Sequence, residues 1–419
     1  MLRFVLIMLI TVLPVIAFAE PIETLPVSAR TRPGFSASGI RFGSVIIRPA
    51  ARMTEMHSDN IYATDAIKRS DFVTNIAPAI TAQTLNNKRG FKFDLDSEHA
   101  LYKNNSRENY TDFGMSLAPY LQLTKISKLD AKLGFEREHD ARTAEASSNN
   151  IGAEEPVRWN RSIGRLGWQY KPGQTGLTTF VQHAIRHYEN VAALNGGPSF
   201  INNDRDRSEN EIGAEISHDL TDRNRLYLAG NGFSRDYRRN DFDLVTGGYT
   251  GLSRDSTGYD LRVGTNFDLT SLIRLNVNGG YYNQDFSSNG FKNIQTAVTA
   301  AKATWMVTSL TTVDFGAKRE VFETNQSDAS AFIQSAATAE INHEFRRNIV
   351  IGIEAAKGKN TYIGSTREDE FWGAGPKIVY KMNRNIDWKA GYLYDSRKSN
   401  QFGADYDRQR IYAGIQVKF

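Results

Sequence analysis

The chain has 419 residues, with 51 Lys and Arg against 47 Asp and Glu, a formal charge of +4 and no Cys. Near-balanced charge without a basic tract gives no reason to invoke nucleic acid, and low mean hydropathy with no second apolar stretch of spanning length excludes a bundle of membrane helices. The absence of Cys excludes a disulfide framework and a lipid-anchoring cysteine.

At the N-terminus, Met1-Leu2-Arg3 supplies a positive start, Phe4 to Ile16 an apolar run, and Ala17-Phe18-Ala19 a small-x-small site. Residues 1–19 are therefore predicted as a signal peptide cut before Glu20. Residues 20–44 carry Pro21, Pro26 and Pro33 and are too short for a folded domain, so they are read as a periplasmic segment without a folded module or plug.

From Val45 onward, alternation of apolar and polar side chains recurs to the end of the chain, the period of an extended strand with two unlike faces. Val45 to His57 is predicted as the first strand and Asp71 to Leu85 as the second, turning at Asn86-Asn87-Lys88-Arg89-Gly90. In the third, Phe91, Phe93 and Leu95 alternate with Lys92, Asp94, Asp96 and Glu98, so one face is apolar and the other charged. Phe113, Met115, Leu117, Leu121 and Leu123 share a parity, as do Leu129, Ala131, Leu133 and Phe135 opposite Asp130, Lys132 and Glu136. Further strands are expected from near Arg158, Leu177, Glu209, Arg225, Thr257, Ile273, Ile294, Thr311, Ala331, Ile349, Glu370, Ile386 and Arg408. The last places Ile411, Ala413, Ile415, Val417 and Phe419 on one face and Tyr412, Gly414, Gln416 and Lys418 on the other. A terminal Phe on such a strand resembles the signal by which the barrel-assembly machinery recognises its clients.

The fold class that follows is all-β: a transmembrane antiparallel up-and-down β-barrel over residues 45–419, with about eighteen strands and roughly 16 to 20 as bounds. Such a barrel belongs in the outer membrane of a Gram-negative bacterium, in contact with its lipid. Short connections, among them Lys171-Pro172-Gly173, Thr221 to Asn224, Thr270-Ser271-Leu272, Thr308-Ser309-Leu310, Arg346-Arg347-Asn348 and Met382 to Asn385, alternate with long ones. The long ones are Asp140 to Pro156, Glu189 to Ser208, Arg238 to Ser256 and Arg397 to Asp407. Outer-membrane barrels have short periplasmic turns, so both termini are expected in the periplasm. Trp168, Trp305 and Trp388 near short turns and Trp159 and Trp372 near long loops are read as two interfacial girdles.

Arg32-Pro33-Gly34-Phe35, Gly39-Ile40-Arg41-Phe42-Gly43-Ser44, Arg48-Pro49, Ser58-Asp59-Asn60-Ile61-Tyr62-Ala63-Thr64 and Ser70-Asp71-Phe72 together resemble the opening of the putative β-barrel porin 2 family. Asn202-Asn203-Asp204-Arg205-Asp206-Arg207, Thr304-Trp305, Leu310-Thr311-Thr312-Val313 and Asp405-Tyr406-Asp407-Arg408 are similar to later segments of that family. The resemblance implies an outer-membrane barrel from an exopolysaccharide operon and, for some relatives, a polysaccharide export pore.

No catalytic residue, cofactor or metal site is expected. His57 near Asp59, His99 near Glu98 and His139 beside Asp140 lack a Ser in a nucleophile context, and Gly-x-Ser-x-Gly is absent. Function is expected to lie in the hole. Candidate lumen-lining residues are Lys92, Asp94, Asp96, Glu98, Asp130, Lys132, Arg165, Arg262, Arg274, Asn276, Asn278, Tyr282, Asp314, Lys318, Glu354, Lys389 and Gln416. Both charge signs mixed with amides and Tyr suit a hydrated polymer better than an ion-selective ring. The expectation is a passive conduit for secreted exopolysaccharide, fed by a periplasmic export protein. A general diffusion porin and a structural or adhesive barrel without an open pore are the alternatives.

Overall fold

The computed structural model describes residues 25–65, 68–142, 152–193, 196–197, 199–243, 247–324 and 326–419, so the expected signal peptide lies outside the described residues. A short strand β1 (Ile40–Phe42) precedes β2 (Val45–Ser58), β3 (Asp71–Thr84), β4 (Arg89–Tyr102), β5 (Tyr110–Thr124), β6 (Ser127–His139), β7 (Arg158–Tyr170), β8 (Thr175–Tyr188), β9 (Arg207–Asp219) and β10 (Arg225–Tyr237). A two-residue pair, β11 (Phe242–Asp243) and β12 (Gly248–Tyr249), sits inside the next long loop. Then come β13 (Ser256–Thr270), β14 (Ile273–Phe286), β15 (Ile294–Thr308), β16 (Thr311–Phe322), β17 (Ala331–Arg346), β18 (Ile349–Ile363), β19 (Glu368–Lys381), β20 (Ile386–Ser399) and β21 (Tyr406–Lys418).

All but β11 and β12 join one sheet of 19 strands, in which each long strand pairs antiparallel with its neighbours in sequence. The sheet closes because β2 pairs with β3 on one side and with β21 on the other, Met53 standing opposite Ile76 and Ile415. With β1 set aside as a flap on β2, eighteen long strands form a barrel without an edge. Closure leaves no row of unpaired backbone groups, which is the condition for a β-structure to stand in hydrocarbon.

Four of the short turns share one chemistry. Asn383 Oδ1 accepts the N–H groups of Asn385 and Ile386 at 2.8 and 2.9 Å, and Thr270 Oγ1 accepts those of Leu272 and Ile273, both at 3.1 Å. Asn86 Oδ1 and Thr221 Oγ1 do the same at their turns. A side-chain oxygen that takes two turn amides fixes the reversal locally, so the register of these four hairpins is set close to where the turn residues were read.

Along each strand one parity carries the large apolar side chains. Leu133, Val181, Ile212, Leu228, Leu261, Val263, Ile353 and Ile411 are exposed on it. Trp305, Trp372 and Trp388 are exposed aromatics of this outer surface. Trp159 departs from the girdle expectation: it is 8% exposed and packs with Val157, Tyr188 and Val191. It lies on the parity of Arg161 and Arg165, so it points to the inner side, which a list of Trp positions without parity does not reveal.

Candidate functional site: the barrel interior and its two mouths

The opposite parity carries the charges. A cylinder brings inner side chains together and spreads outer ones apart, so only on the inner face can residues two or three strands apart meet. Arg52 of β2 reaches Glu98 of β4 at 3.4 Å, Lys377 of β19 reaches Glu340 of β17 at 2.8 Å, and Arg262 of β13 reaches Glu320 of β16 at 3.4 Å. These contacts identify the interior.

Every lining candidate from the sequence stands on that parity: Lys92, Asp94, Asp96 and Glu98 on β4, Asp130 and Lys132 on β6, Arg165 on β7, Arg262 on β13, Arg274, Asn276, Asn278 and Tyr282 on β14, Asp314 and Lys318 on β16, Glu354 on β18, Lys389 on β20 and Gln416 on β21. A few are brought into contact with one another. Lys92 pairs with Asp94 at 2.9 Å, Arg262 donates to Asn278 Oδ1 at 3.3 Å, and Lys389 donates to Gln416 Oε1 at 2.8 Å. Others have partners that alternation alone did not name: Glu354 with Lys377 at 2.7 Å, Arg274 with Asp268 at 3.7 Å, Asp314 with Thr304 at 2.6 Å, and Arg165 stacked 3.7 Å over the Phe180 ring. Asp96 and Asp130 each face a glycine across the ladder, Gly114 and Gly167, where a Cβ would crowd the carboxylate at 3.1 and 2.8 Å. Tyr282 differs from the rest. It is 8% exposed, packed against Phe233 and the cluster of Ile294, Val298 and Ala331.

At the long-loop end, sequence reasoning missed a dense group of charges. Arg207 Nε donates to Glu209 at 2.8 Å, its guanidinium also pairs with Glu323, and Arg235 meets Glu323 at 3.3 Å. Burial pushes the Glu323 carboxyl up, but the guanidinium groups of Arg207 and Arg235 outweigh it and hold the carboxyl below its ordinary value. Interior parity was the signal that could have found Arg207, Glu209 and Arg235. Their meeting with Glu323, from the far end of β16, needed the barrel.

Above this group the loops tie to one another in a ring. Asp140 pairs with Arg205 at 2.8 Å, and Asp204 accepts the Phe242 N–H at 3.1 Å. Arg254, bound to Asp241 at 2.6 Å, donates to the carbonyls of Ala329 and Gln326, and Gln326 donates to Gln401 at 2.7 Å. Asn60 donates to the Asp407 carbonyl at 2.9 Å, and Tyr62 lies under Arg142, 5.7 Å from its ring centre, which returns the ring to the loop of Asp140. Burial pushes the Asp204 carboxyl up to about 6 against the pull of the Phe242 N–H, with the neighbouring Asp241 adding to the rise.

At the short-turn end, residues 25–36 form no folded module, yet they enter the barrel. The Val27 N–H donates to Thr312 Oγ1 at 3.0 Å, and Arg32 meets Glu344 at 2.9 Å, with both side chains nearly buried. Thr312 and Glu344 share the interior parity of Asp314 and Glu340.

Nothing in the described residues assembles a reaction centre from the histidines. His57 packs on the Phe72 ring, and His139 meets Asp112 at 3.0 Å rather than Asp140. His99 does meet a serine, contrary to expectation, with Ser97 Oγ at 3.1 Å from Nε2. That hydroxyl donates to the Asp112 carbonyl at 2.8 Å, however, and His99 Nδ1 meets Thr111 rather than a carboxylate. The pair thus lacks the carboxylate that would orient the imidazole as a base toward the hydroxyl. His183 and His187 sit on the outer parity and bind Asn210 and Asp206. Among the described residues no group of acid, His or Cys side chains suits a metal ion.

No curated protein matches the chain. Among solved structures it is similar to OccK2 (OpdF) of Pseudomonas aeruginosa in complex with glucuronate, with a TM-score of 0.50 and 10% identity over 92% of this chain and 100% of that one. The outer membrane protein OpdK of the same organism gives a TM-score of 0.47 at 11% identity, covering 89% of this chain and 99% of that one. The siderophore receptor PirA of P. aeruginosa gives 0.45 at 10% identity, covering 89% and 80%. At such identities the OccK2 likeness shows the fold, an outer-membrane barrel. The Putative beta-barrel porin 2 family matches residues 32–419, from the interior arginine of the N-terminal segment through the whole barrel, and the chain belongs to that family of porin-like outer-membrane β-barrels.

Proposed function

We propose that the protein is a passive outer-membrane channel for hydrophilic cargo, and that its cargo is a secreted saccharide chain. The observation that carries the reading is the interior wall, whose cations and anions pair with one another, along a strand at Lys92–Asp94 and across strands elsewhere. A paired wall presents no ring of one sign to select ions. It offers instead many shared hydrogen bonds, each weak, over which a hydrated polymer can exchange partners as it slides. Eighteen strands put the barrel in the size class that holds an aqueous channel rather than a filled core.

On this reading the short turns and both termini face the periplasm, the strand ending at Phe419 is the assembly signal, and a periplasmic export protein delivers the polymer. The tied loops at one mouth and the N-terminal segment at the other favour a second reading, a diffusion channel for small solutes, because both narrow the ends. One strain separates the two. Deletion of the gene should abolish surface or secreted polymer and leave small-sugar uptake intact, with restoration on complementation. Intact polymer secretion with impaired uptake overturns export and leaves the diffusion channel.

A further inference from the structure

The N-terminal segment is built to hold a position. Ala29 N–H closes a turn on Pro26 O at 2.9 Å, and Phe35 N–H closes another on Arg32 O at 2.9 Å. The second turn runs Arg32-Pro33-Gly34-Phe35, with proline second and glycine third at φ +83°, a conformation that glycine adopts without strain. Ser36 Oγ then accepts the Arg32 N–H at 2.8 Å. The turns leave Val27 fully buried and Arg32 6% exposed.

The contacts of this compact segment are with strands far from its own. It leaves the barrel wall at β1, which lies along β2, yet it binds Thr312 of β16, Glu344 of β17 and the carbonyl of Ser309 in the short turn that leads from β15 into β16. By the shorter way round the wall, β21, β20, β19 and β18 stand between β2 and β17. The segment must therefore cross the inside of the short-turn mouth as a chord. A barrel of this strand number is on the order of 35 Å across at the backbone, so a folded strap of this length narrows the mouth without sealing it.

We propose that residues 25–36 are a strap that gates the short-turn mouth, with the Arg32–Glu344 pair as its latch. The inference rests on the channel reading above and adds its regulation. The chemistry of the latch suits reversible opening. Arg32 Nη2 donates to Glu344 at 2.9 Å and to the Val27 carbonyl at 2.8 Å, and Nε donates to Glu344 at 3.2 Å. When docked, both ions lose water and gain each other. When the strap swings out both regain water, so the gain on docking nearly cancels the cost. A latch made of apolar side chains would lack that compensation at an aqueous mouth.

The test uses the full mature chain in planar bilayers, with heat-modifiable migration on gels as the check of folding. Deletion of residues 25–36 should raise unitary conductance by about twofold, as when a partial obstruction is lifted from a wide barrel. Arg32→Glu should reproduce the rise, and adding Glu344→Arg should reverse it, which loss of packing alone does not do. Since the chain has no Cys, Val27→Cys with Thr312→Cys gives a lock free of mispairing. The oxidised lock should hold the low-conductance level without excursions, and reduction should restore them. Equal conductance in the native, strap-deleted and oxidised forms overturns the gate and spares the channel. Absence of any conductance in all forms, with the barrel folded, overturns the channel reading itself.

Discussion

Asp204 shows how a single loop carboxyl can make the outer ring of contacts depend on pH. It is 9% exposed, one oxygen accepts the Phe242 N–H, and the other has no hydrogen-bond partner among the described residues. Burial raises its pKa from 3.8 to about 6. Between these values the folded state binds a proton that the unfolded chain has released, so the stabilisation is fully present below about pH 4 and is lost as pH rises through about 6. The shift corresponds to about 3 kcal/mol at most, an order-of-magnitude figure. Amide protection in the loop before β9, corrected for the intrinsic pH dependence of exchange, should therefore fall from pH 4 to pH 8, and Asp204→Asn should flatten the profile. An unchanged profile in the variant would place the pH dependence elsewhere. Which side of the wall each residue faces was legible in the sequence, because parity is a local property of a strand. Which partner it meets was not. Glu98 finds Arg52 across β3, which takes three strands curved into a wall, and Glu344 finds Arg32 from the far end of the chain, so neither partner is set by its own strand.

At the scale of strands and turns the legible part was larger. The expected starts at Arg158, Arg225, Ile273, Ile294, Thr311, Ala331, Ile349 and Ile386 coincide with the observed ones. Where they differ, the strand begins earlier, by one residue at β13 and by two at β8, β9, β19 and β21, in sequence that runs past the apolar band. Spanning strands need about 9 to 11 residues, and the remainder projects into water, where alternation has no solvent contrast to sustain it. Strands β1, β11 and β12 escaped notice because two or three residues cannot display a period. The two-faced character of the long strands makes a sharp prediction. Leu133 is 59% exposed on the outer parity, and Lys132 beside it faces inward. Leu133→Arg should cost about 2 to 4 kcal/mol near the bilayer midplane, and Lys132→Arg far less. Equal loss of the heat-modifiable folded band would mean the strand lacks a lipid face. The closing strand gives another. The Phe419 N–H donates to the Pro49 carbonyl at 3.0 Å, and its ring is exposed on the outer side. Deleting Phe419 should lower the amount of folded barrel in the outer membrane, and normal amounts would remove this residue from the assembly signal.

For the whole molecule the decisive feature is that closure creates an inside with two ends, and each end carries its own obstruction. The strap of residues 25–36 crosses one mouth, while the loop ring held by Arg254, Asp204 and Arg142 surrounds the other. The sequence showed which connections are long, Glu189 to Ser208 and Arg238 to Ser256 among them, since length is visible. It did not show that the second of these is fastened, because Arg254 binds a carbonyl at Gln326 that no pattern marks. Obstructions at opposite ends of one conduit act as resistances in series, which fixes how their removal combines. When one is lifted the other still limits the current, so each single variant gains modestly. When both are lifted the remaining resistance is that of the barrel alone. Shortening the loop between Arg238 and Ser256 so that Arg254 is lost should raise conductance in planar bilayers, and combining this with deletion of residues 25–36 should raise it by more than the sum of the two separate increments. If the increments simply add, the two ends do not share one path, and current crosses the protein by a route that bypasses at least one mouth.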